Sequence, residues 1–227
     1  MNCPELMLRR GAERSPRNGH PWIFSGAVQR PPEGVAPGEL VDVVDHHGRF
    51  VGRGFFNNRS QIRVRLLTWN PDQSIDAPFF RERIAAAVAL RKQCRVSEQS
   101  NAMRVVHGEN DGLPGLVADY FAGFVVLQIH TQGMENFRET VLDALEEMLD
   151  PLGIFERSDV GTRRPEGMAD RPTGSCRGKK PPGFIEIEEG GARLFVDIYH
   201  GQKTGFFLDQ RENRLLLQRL SAGKEVL

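Results

Sequence analysis

The residues best suited to bind a ligand lie near the end of the chain. Lys203, Thr204 and Gly205 offer a cationic side chain, a hydroxyl group and backbone amides at the entrance of a predicted helix. Amides at a helix N-terminus favour anionic or carboxylate ligands. Downstream, two phenylalanines can form an apolar wall, and an acidic and a basic side chain can fix polar groups. The candidate ligand residues are Lys203, Thr204, Gly205, Phe206, Phe207, Asp209 and Arg211.

The same segment has a purely structural interpretation. Asp209 is of the residue type that caps helices, and Phe206 and Phe207 would then belong to the core. Taken alone, the residues favour this helix cap over a ligand site.

A second group of residues suits contact with RNA. Arginines neutralise phosphates, and histidine and tryptophan can stack on bases. For Trp22 and Phe24 the sequence favours a place in the core of a small barrel, whereas the arginines are candidates for contact with RNA. The candidate RNA-binding residues are Arg9, Arg10, Arg17, His20, Arg53, Arg63 and Arg65.

The charges are unevenly distributed along a chain whose formal net charge is zero, which argues against a purely electrostatic nucleic-acid binder. Residues 1–65 contain ten Arg and Lys against six Asp and Glu, and residues 157–180 contain seven against three. Residues 133–150 contain one against six. RNA contact is therefore expected on certain faces only. The glycine- and proline-rich segment 161–183 is either an RNA clamp or a solvated, disordered loop.

Metal and disulfide chemistry are not expected. The three cysteines, Cys3, Cys94 and Cys176, are far apart and odd in number, and the histidines lack metal-ligand spacing. The chain has no export signal and no apolar run long enough for a membrane span, so a reducing cytoplasm fits best.

The hydrophobic pattern predicts a strand-rich unit followed by a mixed one. Residues 61–67 alternate with period two, which buries Ile62, Val64 and Leu66 and turns Arg63 and Arg65 outward. A boundary is expected near residues 70–72, and Asp76 should cap a helix that ends near Cys94. The other predicted strands are 40–45, 49–56, 103–107, 116–120, 124–130, 154–157, 184–188 and 193–198, with a helix over 134–149.

The last residues predict an unfinished element. A leucine-rich helix should follow residue 209, and Glu225, Val226 and Leu227 should begin a buried strand. A buried strand needs neighbours to pair with, so we expect that the chain is truncated within a third domain.

Several motifs, in a consistent order, resemble those of one enzyme family. The stretch HGQKTGFFLDQREN at 200–213 resembles the entrance to the catalytic domain of class I S-adenosylmethionine-dependent large-subunit rRNA methyltransferases of the cytosine-C5 branch. The family's PUA domain is resembled by NGHPWIFSG at 18–26 and by residues 50–67. Its central strand-strand-helix-strand-strand domain is resembled by HGENDGLPGL at 107–116 and FERSD at 155–159.

This resemblance implies a mixed fold in three parts. Residues 1–70 would form a small β-barrel-like PUA domain that binds RNA, and 72–198 a central α+β domain. Residues 199–227 would be the truncated start of a Rossmann-like α/β methyltransferase domain. The ligand residues near 203–211 would then contribute to the S-adenosylmethionine pocket.

The resemblance also implies the chemistry. The whole enzyme would methylate a cytosine of large-subunit rRNA through a nucleophilic cysteine that lies beyond Leu227, so this chain alone would be inactive. A homodimer is compatible with the sequence, and no membrane partner is expected. A non-catalytic RNA-binding adaptor is the competing interpretation. A pseudouridine synthase or another PUA-bearing enzyme would fit the front end only.

Overall fold

The first half of the fold is a six-stranded sheet. The structure is a computed structural model that describes residues 3–94, 98–159 and 161–225. The strands follow the order β2-β6-β5-β4-β1-β3, in which β1 runs parallel to β4 and the other pairs are antiparallel. The elements are β1 (Glu5–Leu8), α1 (Arg14–Arg17), β2 (Trp22–Phe24), β3 (Val28–Arg30), β4 (Leu40–Val44), β5 (Phe50–Phe56) and β6 (Ile62–Thr68).

The second half is a five-stranded sheet covered by helices. Its order is β11-β10-β9-β8-β7, with only the β9–β10 pair parallel. As predicted, Asp76 caps the first long helix by accepting a hydrogen bond from the Phe79 amide. The elements are α2 (Ala77–Gln93), β7 (Ala102–His107), β8 (Leu116–Phe121), β9 (Phe124–Ile129), α3 (Gln132–Asn136), α4 (Arg138–Leu149), β10 (Gly153–Glu156) and β11 (Gly174–Gly178).

Two predicted elements differ from the structure. The helix expected over 134–149 is broken at Phe137, where α3 ends and α4 begins. Phe137 packs on the rings of Phe80 and Phe55, at centroid distances of 4.8 and 5.8 Å. The segment 161–183 is not structureless, since it contains the 3₁₀ helix Gly161–Glu166 and the strand β11.

Arginines, rather than apolar side chains, dock much of this segment. The buried Arg163 donates to the carbonyl group of Ile129 and pairs with Glu135 at 2.9 Å. Arg171 pairs with Glu135 and with the buried Glu156, and Arg177 pairs with acidic side chains of α4. The arginines of segment 161–183 and the acidic side chains of residues 133–150 therefore neutralise each other within the chain. This pairing removes much of the positive charge that was expected to clamp RNA.

A hairpin and a helix complete the described chain. The strands β12 (Ile185–Glu189) and β13 (Ala192–Val196) pack against the second sheet, and α5 spans Arg211–Leu220 with no buried residue. The predicted strand at 225–227 falls largely outside the described residues. No helix in the described part of the chain is long and apolar enough to cross a membrane.

One of the three buried clusters spans the expected boundary near residues 70–72. Phe55 of β5 and Leu67 of β6 lie in the same buried cluster as residues of α2, α4 and the second sheet. Gly133 in α3 lies directly against the Phe55 ring, because a Cβ atom built there would be 2.0 Å from a ring carbon. The absence of a side chain at residue 133 thus allows the two halves to pack closely.

We expect Gly133→Ala to destabilise the protein even though alanine favours helices. The added methyl group overlaps the Phe55 ring, so the free energy of unfolding should fall by about 1–3 kcal/mol. Gly26→Ala is the matched control, since nothing lies within 4 Å of its Cβ position. Urea unfolding of both variants tests this, and equal stability of the two would show that the Phe55 contact does not constrain residue 133.

Candidate nucleic-acid interface and ligand turn

Exposed arginines follow the first strand. Arg9 and Arg10 lie directly after β1, and Arg14 begins α1. Arg9 donates through Nε to the carbonyl group of Val28 at 3.1 Å, which orients its guanidinium group. We call Arg9, Arg10 and Arg14 the N-terminal basic segment. Its exposed cationic groups can contact phosphates of a nucleic acid.

Arg17 is partly committed to the fold. It pairs at 2.8 Å with Asp45, whose side chain is fully buried. Burial raises the pKa of Asp45, but hydrogen bonds from the Arg49 and His47 amides and from the guanidinium groups of Arg49 and Arg17 lower the pKa by more. The carboxylate therefore stays charged and holds Arg17, whose side chain is still 39% exposed.

Two further arginines have structural roles. Arg53 is buried, forms a bidentate pair with Asp42 at 2.7 and 3.1 Å, and donates to the Gln73 carbonyl group. These contacts direct its donors inward, and they give Arg53 a structural role beside the predicted contact with RNA. Arg63 donates to the carbonyl groups of residues 57 and 58 and so braces the turn between β5 and β6.

Arg65 also departs from the prediction, because it does not face open solvent. Its two terminal nitrogens pair with Glu109 and Glu166, each at 2.9 Å, and its side chain is 14% exposed. The guanidinium carbon lies 5.5 Å from the centroid of the Trp22 ring. Arg65 thus joins the two halves of the fold instead of extending from the surface.

The aromatic residues of β2 are not in the barrel core, contrary to expectation. Ile23 is buried, whereas Phe24 is 47% exposed and Trp22 is half-buried. The exposed His20 lies 5.9 Å from the ring of Trp22 and 6.4 Å from that of Phe24. We call these three residues the aromatic edge. Period two around Ile23 places 20, 22 and 24 on one face, a signal that the composition-based interpretation missed.

We call residues 203–211 the ligand turn. Within it, Thr204 has a structural role. It is fully buried and its hydroxyl group donates to Asp119 at 2.5 Å. Asp119 is itself buried on β8 and accepts two hydrogen bonds from Arg104 of β7, at 2.8 and 2.9 Å. Gly205 has φ +120°, and a Cβ atom there would lie 2.7 Å from the Asp197 carbonyl oxygen. Both residues therefore fix the turn to the sheet.

The charged and aromatic residues of the turn pair with neighbours. Lys203 pairs with Asp209 at 3.0 Å and lies 4.5 Å from the Phe207 centroid. The predicted cap is wrong, since Asp209 lies before α5 in the 3₁₀ turn Leu208–Gln210 and α5 has no side-chain cap.

The remaining ligand-turn residues also have partners close by. The Phe206 ring lies 4.4 Å from the guanidinium carbon of Arg214. Arg211 pairs with Glu212 at 3.2 Å.

The ligand turn does not enclose a cofactor by itself. Of the seven candidate residues, only Asp209 and Arg211 line a cavity of about 400 Å³, whose other walls come from α2 and β7. The remaining five residues contact the turn, the hairpin or the second sheet. These seven residues therefore do not form a complete site for S-adenosylmethionine.

Known proteins resemble this arrangement over nearly the whole chain. The family model of a PUA-like domain matches residues 6–69. Ribosomal RNA large subunit methyltransferase I of Escherichia coli strain SMS-3-5 is 43% identical over 222 residues, which are 98% of this chain and 56% of that protein. The chain thus spans a little over half the length of the curated relatives it matches.

Two solved structures share the fold. A candidate SAM-dependent methyltransferase from Streptococcus mutans matches 94% of this chain and 54% of its own, with a TM-score of 0.77 and 21% identity. A candidate methyltransferase complexed with SAH matches 94% and 53%, with a TM-score of 0.78 and 21% identity. At this identity both likenesses concern the fold alone.

We expect Thr204→Val to lower the free energy of unfolding by about 1–3 kcal/mol, because the buried Asp119 loses a hydrogen bond. Lys203→Met is the control. It removes a pair whose side chains are 41% and 57% exposed, so its effect should stay within about 0.5 kcal/mol. Thermal and urea unfolding measure both variants. A Thr204→Val protein as stable as Lys203→Met would contradict a structural role for this hydroxyl group.

Proposed function

We propose that this chain supplies the RNA-binding part of an enzyme that transfers a methyl group from S-adenosylmethionine to a cytosine of large-subunit rRNA in the cytoplasm. The observation that carries the proposal is the 43% identity to an rRNA large subunit methyltransferase over 98% of this chain. The likeness thus includes both sheets and the ligand turn, rather than a PUA-like domain alone. A PUA-bearing enzyme of another class would account for residues 6–69 only.

The geometry of the site supports assigning RNA binding and cofactor binding to different parts of the enzyme. The described residues present exposed arginines and an aromatic edge, which suit RNA, but do not enclose the cofactor. We place cofactor binding and the nucleophilic cysteine in the portion of the relatives that this chain does not match, and we place the RNA contacts here. The three-domain division at residues 1–70, 72–198 and 199–227 is part of the same proposal, although the core is continuous across the first boundary.

The N-terminal basic segment should provide phosphate contacts. We expect Arg9→Ala/Arg10→Ala to weaken binding of a single-stranded rRNA segment at low salt. The slope of log K against log salt concentration should become shallower by about 1.4, because each phosphate contact on a single strand contributes about 0.7. Filter binding across a salt series measures the change.

The control variant Arg81→Ala/Arg193→Ala removes the same charge from exposed pairs with Glu147 and Glu186. It should keep the original slope. Equal slopes for the two double variants would overturn the assignment of Arg9 and Arg10.

Methyl transfer separates the enzyme from the non-catalytic adaptor. The 227-residue chain should bind rRNA without transferring tritiated methyl groups from S-adenosylmethionine, whereas a protein that also contains the remaining portion of the relatives should transfer them. Failure of that longer protein to methylate unmodified large-subunit rRNA would favour the adaptor. Methylation by the 227-residue chain alone would refute the proposal that cofactor binding lies outside this chain.

A further inference from the structure

A cavity of about 720 Å³ lies between the two sheets, away from the ligand turn. The first sheet contributes Trp22 and Arg65, and the segments that follow β7 and β9 of the second sheet contribute Glu109 and His130. The 3₁₀ helix Gly161–Glu166 closes the far side. The volume is in the range of small-molecule pockets and exceeds what one planar heterocycle needs.

Two residues that line this cavity each carry a buried nitrogen atom with no hydrogen-bond partner among the described residues. They are Nε2 of His130 and Nε of Arg65. Buried polar groups are rarely left unpaired, because the loss of hydration costs free energy. A bound molecule that reaches either atom would complete its hydrogen bonding.

The protonation state of His130 determines whether its ring can donate a hydrogen bond. Its Nδ1 lies 2.6 Å from the hydroxyl oxygen of Thr162, and burial, followed by the positive charge of Arg163, lowers the pKa of His130. The ring is therefore neutral near pH 7. If the Thr162 hydroxyl group donates to Nδ1, the unpaired Nε2 carries the proton and donates a hydrogen bond into the cavity.

The other walls carry no excess of positive charge that would hold an anion. The carboxylates of Glu109 and Glu166 both line the cavity, and each is held by Arg65. Together with Arg59, the lining has two arginines against two glutamates. The indole Nε1 of Trp22 donates to Glu109 at 2.7 Å, which fixes the ring at the cavity wall. A neutral, planar heterocycle with hydrogen-bonding edges can lie against this indole.

The residues around the cavity opening indicate which kind of molecule would carry such a heterocycle. The aromatic edge continues from Trp22 to the exposed His20 and Phe24, and the exposed Arg59 belongs to the cavity rim. Aromatic side chains stack on unpaired bases, and arginines contact the connecting phosphates. A base that enters the cavity can therefore keep its phosphate groups outside, near Arg59.

We propose that this cavity binds one unstacked base of a single-stranded RNA segment, which lies against Trp22 and hydrogen-bonds to Nε2 of His130. The proposal rests on the proposed function, because it takes RNA as the partner. It adds a base-binding site formed jointly by the two halves of the fold.

Trp22 fluorescence tests this directly, since the chain has only two tryptophans. In a Trp69→Phe protein, a single-stranded rRNA oligonucleotide should quench the Trp22 emission. An oligonucleotide of equal length whose sugars are abasic should bind through its phosphates without quenching. Trp22→Phe, which keeps Trp69, should show no quenching, which assigns the signal to Trp22.

His130→Ala should weaken binding of the oligonucleotide about tenfold, while leaving binding of the abasic oligonucleotide unchanged. His47→Ala, at an exposed position outside the cavity, should change neither. Equal quenching by both oligonucleotides, or none by either, would overturn the base site but not RNA binding. Tight saturation by free nucleoside monophosphates would assign the cavity to a soluble nucleotide and also overturn it. If the unsubstituted chain binds neither oligonucleotide, the proposed function is refuted as well.

Discussion

The contacts of Arg65 constrain how the two halves of this protein meet. Its guanidinium group is held by one carboxylate on each side of the cavity, Glu109 and Glu166, and Glu166 also accepts hydrogen bonds from Asn57 and Ser60. Removal of one partner from such a buried network leaves an uncompensated charge, at a cost of about 3–5 kcal/mol. Together with the Phe55–Gly133 contact, the network fixes the distance between the sheets, and hence the shape of the cavity between them.

Most other charges are also neutralised within the chain, so the proposed binding of RNA has to rely on local groups rather than on a net positive charge. The arginines of segment 161–178 bind carboxylates of α3, α4 and β10, so they shape the protein and leave little positive field. The groups that we propose for RNA are the N-terminal basic segment, the aromatic edge and the cavity opening. Recognition through a few exposed groups favours an unpaired strand, whose bases are accessible, over the uniform backbone of a duplex.

The sequence predicted local structure well, but it did not predict features that depend on contacts between residues far apart in the chain. Periodicity identified most strands and the helix capped by Asp76, because these depend on neighbours within a few positions. It could not identify β11 or the break at Phe137, since β11 is stabilised by pairing with β10 and Phe137 packs against Phe55, 82 positions earlier in the chain. Likewise, the alternation in β6 correctly predicted which side chains share its outward face. It did not predict that carboxylates 44 and 101 residues away would cover Arg65 on that face.

Hydrogen–deuterium exchange with and without a single-stranded rRNA segment measures most directly whether the two sheets bind RNA as one surface. We expect protection to rise together at residues 20–24, in and next to β2, and at residues 107–110, at the end of β7, with the same dependence on RNA concentration. Protection confined to residues 9–17, with residues 107–110 unchanged at saturating RNA, would show that the two sheets do not bind RNA as one surface.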